Sequence, residues 1–223
     1  ALDDSHGGDG ILAPEDVNSI ADLKGREVGM NEGSVSQFWF NILLKQAGMT
    51  EKDVSIVNMT ADDAAAAFMA GQIGVAVTWE PHLTLAKEQK VGKVLVSSDQ
   101  TPGLIVDVIA LRCDVIEKQP EDVKALVAGL EKAHEYLLAN QEKAYEIMAA
   151  GVGGWLSDPK DFAASAAGVQ FYGKERNAEF FKDGAAGESG KLVTLGGEIW
   201  GSLGKLHMDV TYDQLVDTSF LNQ

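Results

Sequence analysis

Phe68-Met-Ala-Gly-Gln-Ile-Gly-Val-Ala-Val-Thr-Trp-Glu-Pro81 decides the fold. Ala64, Ala65, Phe68 and Met69 set an apolar stripe at helical spacing, and Gly71 stops it as a C-cap glycine. Ile73, Val75, Ala76 and Val77 follow as a short apolar run, the pattern of a strand buried on both faces of a parallel sheet. Thr78, Trp79 and Glu80 stand at its carboxyl end, and Pro81 opens the next segment. Ligands of open α/β sheets bind at the carboxyl ends of strands. An aromatic plate beside a carboxylate there reads as a small-molecule site. The competing reading is a half-buried Trp with a solvated Glu.

Upstream, Ile11–Ala13 and Glu27–Met30 read as strands, with a Gly-ended helical turn at 21–25 between them. Val35, Phe38, Trp39, Ile42 and Leu43 fall on one helical face. Ser34 is the natural N-cap, and Gln37 three residues on completes a capping box. The free N–H groups of that first turn, with the Ser36 hydroxyl, suit an anionic or carbonyl group. Ser34 can equally be occupied by its own helix. Downstream come strands at 54–57 and 94–97, helices at 60–70 and 82–90, and a long strand-like run at 104–111. Strand and helix alternate from residue 26, which predicts βαβ units and a mostly parallel sheet. Asp107 interrupts an apolar run, where an unpaired carboxylate is costly to bury. It either lines a cleft, or faces solvent, pairs with a cation or caps a turn.

After Cys113 the pattern turns helical, with Val123, Leu126, Val127, Leu130, Leu137 and Leu138 on one stripe after Pro120. Further helices are expected at 162–169, 191–204 and 212–221, with a loop at 184–190. His134 beside the first stripe reads as a packed histidine, not a ligand.

The 223 residues carry a net charge of −16, which argues against nucleic acid and anionic membrane faces as partners. One cysteine permits no internal disulfide and suggests no metal cluster. No apolar run is long enough to span a bilayer, and the first residues lack the basic region and apolar core of a signal peptide. No Gly-x-Ser-x-Gly, Walker loop or His-Glu-x-x-His occurs, so nothing assembles a nucleophile or a metal. No catalytic residue, metal or cofactor is expected. What remains are polar groups at strand ends, which is what a binding site needs.

Several stretches together resemble one family: Ala1-Leu-Asp-Asp-Ser-His-Gly-Gly-Asp-Gly-Ile11, Ile20-Ala-Asp-Leu-Lys-Gly-Arg-Glu-Val28, Glu32-Gly-Ser-Val-Ser-Gln-Phe38, Ala70-Gly-Gln-Ile-Gly-Val-Ala-Val-Thr-Trp-Glu-Pro81 and Thr101-Pro-Gly-Leu-Ile-Val-Asp-Val108. It is the family of ABC-importer substrate-binding proteins for taurine, alkanesulfonates, nitrate and thiamine-pyrimidine precursors. The resemblance implies an α/β fold, like a type II periplasmic binding protein, that closes on its ligand. Here it would be one complete βαβ lobe plus a helical remainder of the other. Residues 1–10 would be the interlobe crossover loop, 11–110 the ligand-binding lobe, and 111–223 the mainly helical part of the other lobe. The implied contacts are Asp4 and Ser5 from the crossover, Ser34, Ser36 and Gln37 from the helix start, Trp79 and Glu80 from the strand end, and Asp107 from the return strand. The implied partners are a small-molecule ligand, such as a zwitterion, aminosulfonate or related nitrogen compound, and a membrane permease.

Two departures stand out. The family reads Ala-Gly-x-x-Asp-Ala where this chain has Ala70-Gly-Gln-Ile-Gly-Val75, so a structural acidic residue is missing. Family members also begin with a half-lobe to which nothing here corresponds, so its strands are expected from a longer parent or a second chain. The rivals are a sensory domain with the same pocket and a pyrimidine-making enzyme, the latter disfavoured by the single cysteine. Intact-mass measurement on natural material should show a longer polypeptide or a bound partner chain. A closed two-lobed monomer of these residues alone would refute that expectation.

Overall fold

The strands of this chain are ordered by one reversal near its start. The computed structural model describes residues 1–221. Its strands are β1 (Asp3–Ser5), β2 (Asp9–Ala13), β3 (Glu27–Met30), β4 (Ser55–Asn58), β5 (Val75–Trp79), β6 (Lys93–Ser97), β7 (Val106–Asp107) and β8 (Val169–Phe171). Its α-helices are α1 (Val35–Gln46), α2 (Ala61–Met69), α3 (His82–Glu88), α4 (Cys113–Lys118), α5 (Pro120–Ala139), α6 (Gln141–Val152), α7 (Pro159–Ala166), α8 (Lys174–Phe180), α9 (Glu188–Ser202) and α10 (Tyr212–Leu215).

Two sheets form, in the orders β4-β3-β5-β2-β6 and β7-β1-β8. β3 runs parallel to β4 and β5, as the alternation of strand and helix requires. β2 runs antiparallel to both β5 and β6, so the large sheet is mixed and not simply parallel. The reason is its entry: β2 arrives directly from β1 with no intervening helix, and slots between strands that a helix later joins. Residues 1–10 are therefore not only a loop, because they contain β1 and the first residues of β2.

Both faces of the large sheet are covered, and neighbouring residues divide between them. Ile11, Val28, Met30, Val75 and Val77 pack with Trp39, Phe40, Leu43 and Leu44 of α1. Leu12 and Ala76 face the other way, onto Ala64 and Phe68 of α2 and Leu83 and Ala86 of α3. Helix α2 ends in a Schellman turn: Gly71 has φ 69°, its N–H bonds the Phe68 carbonyl, and the Gln72 N–H bonds that of Ala67.

Several local expectations change. The Ser34 hydroxyl accepts from the Ser36 N–H at 3.2 Å, so Ser34 is the N-cap of α1. No capping box closes with Gln37. Its Oε1 reaches past Ser34 to the Gly33 N–H at 2.7 Å, because Glu51 holds its Nε2 at 2.7 Å. The run at 104–111 pairs only at Val106 and Asp107, because β1 offers three residues before the chain turns away. Val108, Ile109 and Leu111 beyond it are exposed. The helix expected to reach Val169 stops at Ala166, and the chain then becomes β8. Gly168 lies against Gly8 there, and its carbonyl accepts from the N–H groups of His6 and Gly8. Helix α9 begins at Glu188, inside the expected loop, and α10 ends at Leu215.

Trp39 is fully buried and donates its indole N–H to the Thr101 hydroxyl at 2.8 Å. Trp39→Ala should cost about 3–5 kcal/mol in urea unfolding. Thr101→Val, which leaves that N–H unpaired, should cost about 1–3 kcal/mol.

Candidate functional site

The polar ends of the strands converge on one cleft. Two cross-strand pairs build its walls. In the large sheet Asp9 stands opposite Trp79, and in the small sheet Asp3 stands opposite Asp107. Alternation along β1 turns Asp3 and Ser5 toward the cleft, where both are found, while Asp4 is absent from its lining. A cavity of about 260 Å³ lies between the walls. Glu80 extends the Trp79 wall, Val35 comes from the first turn of α1, and Ser165 and Val169 close the far side from α7 and β8.

The turn between β1 and β2 fixes the two walls. Ser5 and Ser98 hydroxyls bond at 2.8 Å, the Gly7 N–H donates to Ser98 Oγ at 2.8 Å, and the Asp9 N–H donates to Ser5 Oγ at 3.1 Å. A side chain at Gly8 would meet the Gly168 carbonyl at 2.9 Å, so the backbones touch there.

Four of the residues read from the sequence thus meet: Ser5, Trp79, Glu80 and Asp107. The other four lie outside the lining. Asp4 is fully buried, with Oδ2 accepting from the Gly103 N–H at 2.8 Å and Oδ1 unpartnered. Ser34 and Gln37 serve α1 as described. Ser36 is buried beside Val35 with an unpartnered hydroxyl. Within the lining, Asp107 is exposed and is not a carboxylate buried in a strand. Glu80 accepts from the N–H and hydroxyl of Thr84, at 3.1 and 3.0 Å, and so also caps α3. His82 turns away to Asp62 at 2.9 Å.

Sequence reading missed Asp3, Asp9 and Ser165. Asp3 and Asp9 sit in a stretch read as loop, and the signal that could have found them is alternation: Asp3 and Ser5 share a face, as do Asp9 and Ile11. Burial and the neighbouring Asp107 push the Asp3 carboxyl up to about 6. Burial also raises Asp9, partly offset by the Ser5 hydroxyl.

A second hollow, of about 450 Å³, lies among α5, α6 and β8. Its walls are mostly apolar, including Val127, Leu130, Leu137, Ile147 and Met148, with half-buried His134 on its edge against Gly173. Of the stripe read along α5, only Val123 and Leu137 are buried; Leu126 is 42% and Leu138 73% exposed.

A mixed sheet packed by helices on both faces, tied by a crossover to a second sheet with a polar cleft between, is the fold of a periplasmic binding protein. The chain belongs to the NMT1/THI5-like family, whose model matches residues 7–144. It is similar to a Brucella abortus chain named as a binding protein, at 32% identity over 144 residues, or 63% of this chain and 45% of that one. It is also similar to the taurine-binding periplasmic protein of Escherichia coli K12, at 27% identity over 156 residues, 69% of this chain and 45% of that one. The chain thus matches a little under half the length of these relatives. The crystal structure of the periplasmic aliphatic sulphonate binding protein SsuA from Escherichia coli superposes with TM-score 0.74 and 20% identity, covering 97% of this chain and 68% of that one. The Methylobacillus flagellatus protein titled as sulfonate-binding SsuA gives TM-score 0.75 and 19% identity, covering 99% and 67%. Among the described residues no helix is long and apolar enough to cross a membrane.

A carboxyl raised in the folded state binds a proton there that the unfolded chain has already lost. Its stability contribution is present at low pH and is lost as pH rises through about 6. Asp3→Asn should therefore raise Tm at pH 7.5 by about 1–2 °C, a small gain because the site is half exposed. The gain should vanish near pH 4. Melting curves of both proteins at the two pH values check this.

Proposed function

We propose that this chain is the solute-recognising part of an extracytoplasmic binding protein that hands a small organic solute to an ABC importer in the membrane. One observation carries the reading: the Asp9–Trp79 pair of one sheet and the Asp3–Asp107 pair of the other face a common cavity. A site shared between two sheets is closed by a ligand that touches both. Binding then shifts the population toward the closed form, which a permease can distinguish from the open one. The solute class is a zwitterion, an aminosulfonate or a related nitrogen compound. The names of the taurine- and sulphonate-binding relatives support this class. The cavity suits a molecule of a few heavy atoms, not a polymer. A periplasmic location goes with the same reading.

The cleft residues recognise and do not react. Trp79 supplies a flat apolar face, and the carboxylates supply hydrogen-bonding edges. The apolar hollow at α5 and α6 belongs, on this reading, to the contact with the further half-lobe that the longer relatives carry.

A thermal-shift screen of zwitterions and amines, followed by calorimetry, tests the proposal. At least one compound should raise Tm, and Trp79→Ala should weaken its binding at least tenfold without lowering the Tm of the free protein by more than about 2 °C. If only inorganic anions bind, the proposal is wrong.

A further inference from the structure

The charge of the cleft is one-sided. Its titratable lining residues are Asp3, Asp9, Glu80 and Asp107, and no lysine, arginine or histidine is among them. Some acids outside the cleft do have partners. Asp16 bonds Arg26 at 2.7 Å, Asp53 lies 3.4 Å from Lys24, and Asp22 accepts from the Asn18 and Ser19 N–H groups. Among the described residues, none of the cation–carboxylate pairs within 4.0 Å includes a cleft acid.

The backbone makes this costly arrangement unavoidable. Asp3 and Asp107 are register partners in an antiparallel pair, so the two acids stand opposite each other across the small sheet. Like charges directly opposite destabilise a sheet. Trp79 adds an aromatic face opposite Asp9, and aromatic faces attract cations. An anion placed here would meet carboxylates with no opposing cation. An ammonium group would meet a partner on each wall.

Resting on the solute-binding reading above, we propose that this cleft selects the cationic end of its solute. A protonated amine or quaternary ammonium sits against Trp79, between Asp9 and the Asp3–Asp107 pair, and a solute bearing only a sulfonate is rejected.

Calorimetric titration at pH 7.5 with choline, taurine and ethanesulfonate tests this. The first carries only a cation, the second both charges and the third only the anion. Choline or taurine should bind at least tenfold tighter than ethanesulfonate. Asp107→Asn should weaken the ammonium probe at least fivefold and leave ethanesulfonate unchanged or stronger. Asp9→Asn, on the other wall, gives the same readout if the first variant folds poorly. Ethanesulfonate binding as tightly as taurine overturns the charge selection while leaving solute binding intact. So does an unchanged choline affinity in both variants. No heat with any of the three probes, together with no hit in the wider screen, overturns the solute-binding reading itself.

Discussion

The hydrogen bond between the hydroxyls of Ser5 and Ser98 holds the rest in place. The chain must leave the small sheet after Ser5 and enter the large sheet at Asp9, with three residues to do it. Those residues expose N–H groups that no strand satisfies. Ser98 takes that of Gly7, Ser5 takes that of Asp9, and the Gly168 carbonyl takes those of His6 and Gly8. A backbone N–H shielded from water and left unpaired costs about as much as a lost hydrogen bond. The turn is thus as well determined as a strand, and so is the spacing of the two walls it joins.

From that turn the architecture follows. β2 must run against its neighbours, so β5 and β6 are joined by α3 across it. The carboxyl ends of β3 and β5 then point where the crossover enters. This is why Trp79, at the end of a strand, and Asp3, at the start of the chain, meet at all. Helix α9 packs onto α1 through Phe38, Ile42 and Ile199. Arg176, bonded to Glu188 at 2.8 Å and to the Tyr172 hydroxyl at 2.9 Å, joins α8 and α9 to the strand end behind β1.

The large sheet was legible because its signals are local. Hydrophobic runs, the Gly71 stop and the Ser34 cap each depend on a few adjacent residues. The strand at Glu27–Met30 matches its expected bounds, as does the core made by Trp39 and Leu43. The small sheet was not legible, since its strands have two or three residues and come from widely separated stretches of the sequence. Trp79 stood out by its chemistry at a strand end. Asp3 and Asp9 did not, since an acid in a Gly-rich stretch looks like solvated loop until its register partner is known. Ser36 and Gln37 were read as ligand contacts from the helix start. The fold spends Gln37 on Gly33 and Glu51, a pairing fourteen residues away that no spacing rule announces.

The contact between Gly8 and Gly168 has an evolutionary meaning. Two backbones pressed together leave no room for a methyl group on either side, so neither position can drift alone. Sequences that diversify the walls for new solutes can change Asp3, Asp9 or Trp79 without touching that backbone contact. The turn beneath them cannot follow. A lineage built on this scaffold would therefore vary quickly in taste and slowly in the turn that joins its two sheets.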